Sequence, residues 1–182
     1  RDGDGYASNT PAADADRVYC FFGKSGVVAF DHGGKQLWTA DVGDRKGDWG
    51  SSASPVLYGD LVIVNASIES ESVVALSRAD GKEKWRVKNV QQAWNTPLVV
   101  KGAGGKDELV IPAAKKLIAV DPATGAALWT CDTDITWYMV PSPVAHDGVV
   151  YCLGGRSGVV GLAARTGGTG DVTKTHRLWT SK

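Results

Sequence analysis

Two landmarks recur along the chain at an almost constant interval. A Ser/Thr-Pro pair stands at Thr10-Pro11, Ser54-Pro55, Thr96-Pro97 and Ser142-Pro143, so the prolines lie 44, 42 and 46 residues apart. A tryptophan follows each pair, at Trp38, Trp85, Trp129 and Trp179, with spacings of 47, 44 and 50. A period in this range marks a chain of stacked supersecondary units, none of which buries its apolar face alone.

Between the landmarks each unit repeats the same features. Second strands are expected at Arg17 to Phe22, Leu61 to Asn65, Glu108 to Ile111 and Val149 to Leu153. Third strands are expected at Val27 to Asp31, Val73 to Ser77, Leu117 to Asp121 and Val159 to Ala163. These runs are short, rich in β-branched residues and bounded by Gly, Asp or Pro, which is the signature of strands. Nowhere do apolar residues hold a helical period for three turns. With a first strand at each proline and a fourth at each Trp, the chain reads as all-β: four blades of a β-propeller, each a four-stranded antiparallel sheet. The whole chain, 1–182, is one such segment, with blades at about 8–42, 52–88, 95–131 and 140–182.

Spacing inside the units is tight. Ala29, Asp31, Gly34 and Trp38 recur as Ala75, Ser77, Gly81 and Trp85, and as Ala119, Asp121, Gly125 and Trp129. Glycine permits the positive φ of the turn into the outer strand, and Asp can hydrogen-bond the backbone of the turn it opens. The small Ala leaves room for a ring, which assigns these residues and the four Trp to docking one blade on the next. In the fourth unit Gly161 and Ala163 stand in the places of Ala and Asp, and Gly168 lies eleven residues before Trp179, so Thr169 to Thr175 read as an insertion.

The pattern resembles the Ala-x-Asp-x-x-x-Gly-x-x-x-Trp tryptophan-docking motif of the PQQ-like (quinoprotein-type) propeller family, found in quinoprotein dehydrogenases and in a bacterial outer-membrane assembly lipoprotein. Ala119 to Trp129 matches it throughout; the first unit is one residue short before its Gly, and the second has Ser77 for Asp. The resemblance implies a ring of seven or eight blades and a periplasmic or extracytoplasmic setting. Closing such a ring needs further blades, from a longer parent chain or from a second copy. The only methionine is Met139, so the chain reads as an excised or processed segment.

Composition narrows the function. The chain has 20 basic and 20 acidic residues, a net charge of zero and no dense Lys/Arg run. Phosphate neutralisation needs a basic excess, so nucleic acid is not an expected partner. No apolar run approaches the roughly 20 residues of a membrane-spanning helix.

Catalytic and metal motifs are equally sparse. The resemblance implies that a quinoprotein dehydrogenase would carry PQQ against an aromatic ring, a calcium ion and, in its alcohol-oxidising branch, adjacent cysteines. Cys20, Cys131 and Cys152 are not adjacent, and they read as core residues. Asp2-Gly3-Asp4-Gly5 lacks the remaining ligands of a calcium loop. His32, His146 and His176 share no metal-ligand spacing. No catalytic residue, metal or cofactor is therefore expected, and PQQ with calcium enters only if the chain is part of a dehydrogenase whose ligands lie mainly in other blades. The acidic turn Glu69-Ser70-Glu71 reads as a solvated loop.

The remaining tryptophans form the one open constellation. Trp49, Trp94 and Trp137 precede Pro55, Pro97 and Pro143 by six, three and six residues, Tyr6 precedes Pro11 by five, and Tyr138 adjoins Trp137. Segments entering a blade's first strand lie at the channel end of a propeller. There Tyr6, Trp49, Trp94, Asn95, Trp137 and Tyr138, with polar neighbours such as Asn9, Arg45, Lys46, Asp48, Ser51 and Ser52, would form a ligand mouth. The same rings could instead plug the channel. The functional expectation is a non-catalytic binding or scaffold module that presents loops to a protein or small ligand.

Overall fold

A computed structural model describes residues 8–102, 104–155 and 160–181. Its strands form four sheets in chain order, which are blades of a β-propeller. The first contains β1 (Ala12–Ala13), β2 (Arg17–Phe21), β3 (Val27–Asp31) and β4 (Gln36–Ala40). The second contains β5 (Val56–Tyr58), β6 (Leu61–Ala66), β7 (Ser72–Ser77) and β8 (Glu83–Lys88), with a helical turn, α1 (Ser67–Ser70), between β6 and β7. The third contains β9 (Leu98–Lys101), β10 (Asp107–Ala113), β11 (Lys116–Val120) and β12 (Ala127–Asp132). In the fourth, β13 (Val144–His146), β14 (Val149–Gly154) and β15 (Val160–Arg165) pair in order, and the outer strand is β17 (Arg177–Ser181).

Middle strands are buried on both faces. All six residues of β7 are buried, as are five of six in β6. A strand covered on both sides by other layers gains from an unbroken apolar run rather than from alternation, which is why Val62-Ile63-Val64 and Val73-Val74-Ala75-Leu76 contain no polar interruption.

One irregularity repeats in every blade. Ala29 pairs with Trp38, Ala75 with Trp85, Ala119 with Trp129 and Ala163 with Trp179, and the register shifts immediately after each of these alanines. The residue before each Trp is the unpaired extra one, so a bulge bends the outer strand and re-aims the indole. In the fourth blade this register makes Ala163, not Gly161, the small residue opposite the Trp, and Arg165 takes the place of the motif Asp. The insertion hides this in the sequence, because it lengthens the chain between the two partners.

That insertion is also structured. It forms β16 (Gly170–Asp171), which pairs in parallel with Trp129 and Thr130, and α2 (Thr173–His176). The Thr173 hydroxyl accepts from the Asp132 amide at 2.8 Å. The third blade thus gains a fifth strand from the fourth unit, which covers part of an edge that would otherwise expose unpaired backbone groups.

The chain divides into two compact units, 1–90 and 91–182. In the first, Tyr19, Phe21, Val27, Ala29 and Trp38 of one sheet pack with Val62, Val64, Val74 and Leu76 of the next. In the second, Leu109, Ile111, Leu117, Trp129, Met139, Cys152 and Leu162 are buried.

The first unit also carries a polar clamp. Arg78 donates to the Asp14 carboxylate, to the Tyr19 hydroxyl at 3.3 Å and to the Gly59 carbonyl at 2.7 Å. Its own carbonyl accepts from Arg17 and, at 3.0 Å, from Trp38 Nε1. Burial alone would raise the Asp14 carboxyl. The donors around it, the Asp16 amide, Tyr19, Arg78 and the Arg17 amide, outweigh that and hold it well below the usual carboxylate range.

Candidate functional site

The site develops where three loops of the first unit meet. Residues 41–55 run from β4 to β5, a 3-10 turn at Gly23–Ser25 joins β2 to β3, and α1 joins β6 to β7. Gly43 has φ +133°, and a Cβ there would stand 2.4 Å from the Glu69 carbonyl oxygen, so only glycine lets the loop pass. The Arg45 amide then donates to that carbonyl at 3.2 Å, and the Arg45 guanidinium pairs with Glu71 at 2.8 Å. Between the loops lies a cavity of about 620 Å³. Phe22, Trp49 and Ile68 supply apolar lining, Lys24, Arg45 and Lys46 supply positive charge, and Glu69 is the most buried ionisable group.

Glu69 is 3% exposed. Burial pushes its carboxyl up to about 7, against the opposing pull of its own amide and of a hydrogen bond from the Ser51 hydroxyl. Its Oε2 is buried with no hydrogen-bond partner among the described residues. The acidic turn is therefore not a solvated loop at this position: α1 turns Glu69 inward, against the Gly23 turn. The Gly23 turn keeps Cβ-free backbone there, where a Cβ would lie 3.0 Å from Glu69 Oε1. Phe22, Lys24 and Ile68 carry no sequence motif, and the acidic turn that holds Glu69 has only the pattern of a solvated loop.

Sequence-identified aromatics fall in both units. Trp49 lines the cavity and is 52% exposed. In the second unit Trp94 stacks on Tyr138 with ring centroids 5.6 Å apart, and Trp137 meets Tyr138 at 4.2 Å. The Trp94 amide donates to the Met139 carbonyl at 2.9 Å, and the Gly155 amide donates to the Tyr138 carbonyl at 3.2 Å, which fixes the cluster to the backbone. Trp137 is 41% exposed. Asn95 is buried, and its amide nitrogen donates to the Pro112 carbonyl at 2.9 Å and the Met139 carbonyl at 2.8 Å. Through these two bonds it anchors the entering segment to the third blade. Tyr6 lies outside the described residues.

The outer-strand tryptophans behave differently from one another. Gly81, at φ +72°, lies so close to Trp38 that a Cβ there would stand 2.6 Å from the ring. Trp129 is buried and donates through Nε1 to Glu108 Oε2 at 2.8 Å, an oxygen that also accepts from the Gly167 amide at 3.2 Å. Trp85 is buried, and Trp179, beside Tyr151, is 46% exposed. The Asp turns close locally: Asp31 Oδ1 accepts from the Lys35 amide at 2.9 Å, and Asp121 Oδ1 accepts from the Ala123 and Thr124 amides at 2.8 and 3.0 Å. Gly34 and Gly125 take φ +84° and +72° in those turns.

Among the described residues, no three His, Cys, Asp or Glu side chains gather as a metal site, and no helix is long and apolar enough to cross a membrane. The three cysteines are free. Burial pushes the Cys152 thiol up to about 12, with Cys131 adding to the shift, so it is not a thiolate nucleophile at neutral pH.

A family model described as outer membrane protein assembly factor BamB matches residues 2–88 and 24–177. BamB from Moraxella catarrhalis has the same fold at 18% identity, with a TM-score of 0.66 over 97% of this chain and 48% of that one. Quinohemoprotein alcohol dehydrogenase from Comamonas testosteroni has a TM-score of 0.68 at 17% identity, over 97% of this chain and 35% of that one. The C-terminal domain of PilY1 from Pseudomonas aeruginosa has a TM-score of 0.60 at 18% identity, over 80% and 38%. No curated protein matches by sequence. The chain spans less than half the length of these solved relatives. Matched across most of its length and built from the repeated Ala–Trp pair, the chain belongs to the PQQ-like propeller repeat family whose model bears the name of the outer membrane protein assembly factor BamB.

Proposed function

We propose that this chain is a non-catalytic binding module of an extracytoplasmic PQQ-like propeller, which presents its loops to a protein or small ligand. The observation that carries the reading is the cleft of the first unit, where an exposed Trp49 and a buried carboxyl with an unpartnered oxygen line one cavity. Exposed rings on rigidly held loops are the usual composition of a recognition surface. The second unit supports it with Trp137, which is exposed while its neighbours are fixed. The family name points to an assembly role at the outer membrane. Trp179 marks where a following blade would dock, so the reading includes further blades, from the rest of a longer polypeptide or from a second copy, in a ring of seven or eight.

A second reading has one observation in its favour, the likeness to quinohemoprotein alcohol dehydrogenase. In it the chain is a segment of a PQQ-dependent enzyme whose cofactor and calcium ligands lie mainly elsewhere.

Photocrosslinking in the source cell envelope tests the binding role. With Trp49→benzoylphenylalanine or Trp137→benzoylphenylalanine, irradiation is expected to give a discrete adduct that Lys84→benzoylphenylalanine, on outer strand β8, does not give. Identical adducts from all three positions, or none from the loop positions, would contradict the proposal.

A further inference from the structure

The first unit's cleft combines groups that a docked apolar surface alone would not need. Glu69 is the group that demands explanation, because a buried polar atom without a partner forfeits its hydration and is rare in folded chains. Its Oε2 is such an atom, and Glu69 is among the residues that line a cavity large enough for a small organic molecule. The charges facing it come from each of the surrounding loops. The Gly23–Ser25 turn brings Lys24, residues 41–55 bring Arg45, Lys46 and Asp48, and α1 is followed by Glu71. Arg45 is engaged by Glu71. Lys24 and Lys46 stand side by side, and the close approach of the Lys46 amine, with its charge, holds Lys24 below the ordinary lysine value. Two adjacent cations of this kind are relieved by an anion between them.

We propose that this cleft binds a carboxylate carried on an apolar body, with Lys24 and Lys46 on the anionic group, the neutral Glu69 carboxyl turning to donate a hydrogen bond to it, and Trp49, Phe22 and Ile68 against the apolar body. The inference rests on the reading of these loops as a binding surface. A neutral carboxylic acid and a carboxylate share one proton in a short, strong hydrogen bond, whereas two carboxylates repel. The Glu69 carboxyl titrates at about 7. Below that pH it is the donor the ligand needs; above it, an ionised Glu69 faces the ligand's charge. Affinity therefore falls as pH rises, by up to about 30-fold between pH 6 and 8.5 if only the protonated form binds. A free small acid and a peptide C-terminus both carry this chemistry, and the titrations below separate the two.

Calorimetric titration of the full chain with 3-phenylpropionate and with a tetrapeptide ending in phenylalanine, as free acid and as amide, tests this. Binding of either free acid, at least tenfold weaker at pH 8.5 than at pH 6 and absent for the corresponding uncharged amide, is the expected result; whichever acid binds identifies the source. Glu69→Gln keeps a neutral donor, so binding should persist while its pH dependence between 6 and 8.5 disappears. Lys24→Gln with Lys46→Gln, both exposed and outside the core, should weaken binding at least tenfold with the Tm unchanged. Equal binding of acid and amide, a pH dependence that survives Glu69→Gln, or no binding of either acid would overturn the proposal. Discrete crosslinks from Trp137 together with no carboxylate affinity would overturn this inference and leave the binding-module reading standing.

Discussion

Trp129→Ala is expected to destabilise the second unit by about 5 kcal/mol, enough to lower its melting temperature by about 20 °C or more. Removing a buried Trp ring costs about 3–5 kcal/mol in lost transfer free energy and cavity formation. Trp129 is 1% exposed, so the full range applies. A further loss comes from Glu108, whose Oε2 would keep only the longer bond from Gly167. Glu108 is itself buried, and its other oxygen, Oε1, lies against Gly102, where a Cβ would stand 2.1 Å from it. Trp129→Phe restores most of the ring and removes only the donor, so about 1.5–3 kcal/mol should be lost. Chemical denaturation followed by tryptophan fluorescence and circular dichroism measures both. A loss below about 2 kcal/mol for the alanine variant would mean that the ring does not hold this unit together.

The second large effect lies between the first two blades. Trp38→Ala should cost about 4 kcal/mol, from the ring and its bond to the Arg78 carbonyl. Gly81→Val should cost about 3 kcal/mol or more for two separate reasons. The φ of +72° is unfavourable for a β-branched residue, and its Cβ would stand 2.6 Å from the Trp38 ring. Only the second cost depends on Trp38. In the double variant the clash disappears, so the combined loss should fall short of the sum by about 1–2 kcal/mol. Strict additivity in that cycle would show that the ring and the glycine turn do not meet.

What the sequence makes legible here follows from which contacts are local. The blade pattern rests on runs of β-branched residues and on Gly and Asp turns, all closed within a few residues. Asp121 with Ala123, Thr124 and Gly125 is one such turn, and its spacing is readable directly. The Ala–Trp pairing crosses one hairpin, so it too is periodic in the chain. In the fourth unit an insertion breaks that periodicity. The residue opposite Trp179 becomes Ala163, and the inserted Gly170–Asp171 pairs with a different blade altogether. Neither is encoded in local spacing.

The site was less legible than the fold. Trp49 and Trp137 were identifiable as rings outside the docking series. Glu69 was not, because its burial depends on Gly43 letting a distant loop cross over its carbonyl and on Gly23 making room for its side chain. Asp14 and Arg78 show the same limit: they are 64 residues apart, and only the fold brings them together. Asn95 resembled a ligand group in sequence, yet two backbone carbonyls already take its donors.

On the proposed reading the propeller architecture serves binding here and not quinone redox chemistry. Titration of the full-length protein with PQQ and calcium, followed by the absorbance of the quinone, tests it most directly. The binding-module account predicts no saturable spectral change at micromolar concentrations of quinone. Saturable, calcium-dependent binding at micromolar or tighter affinity would contradict it and establish the oxidoreductase reading in its place.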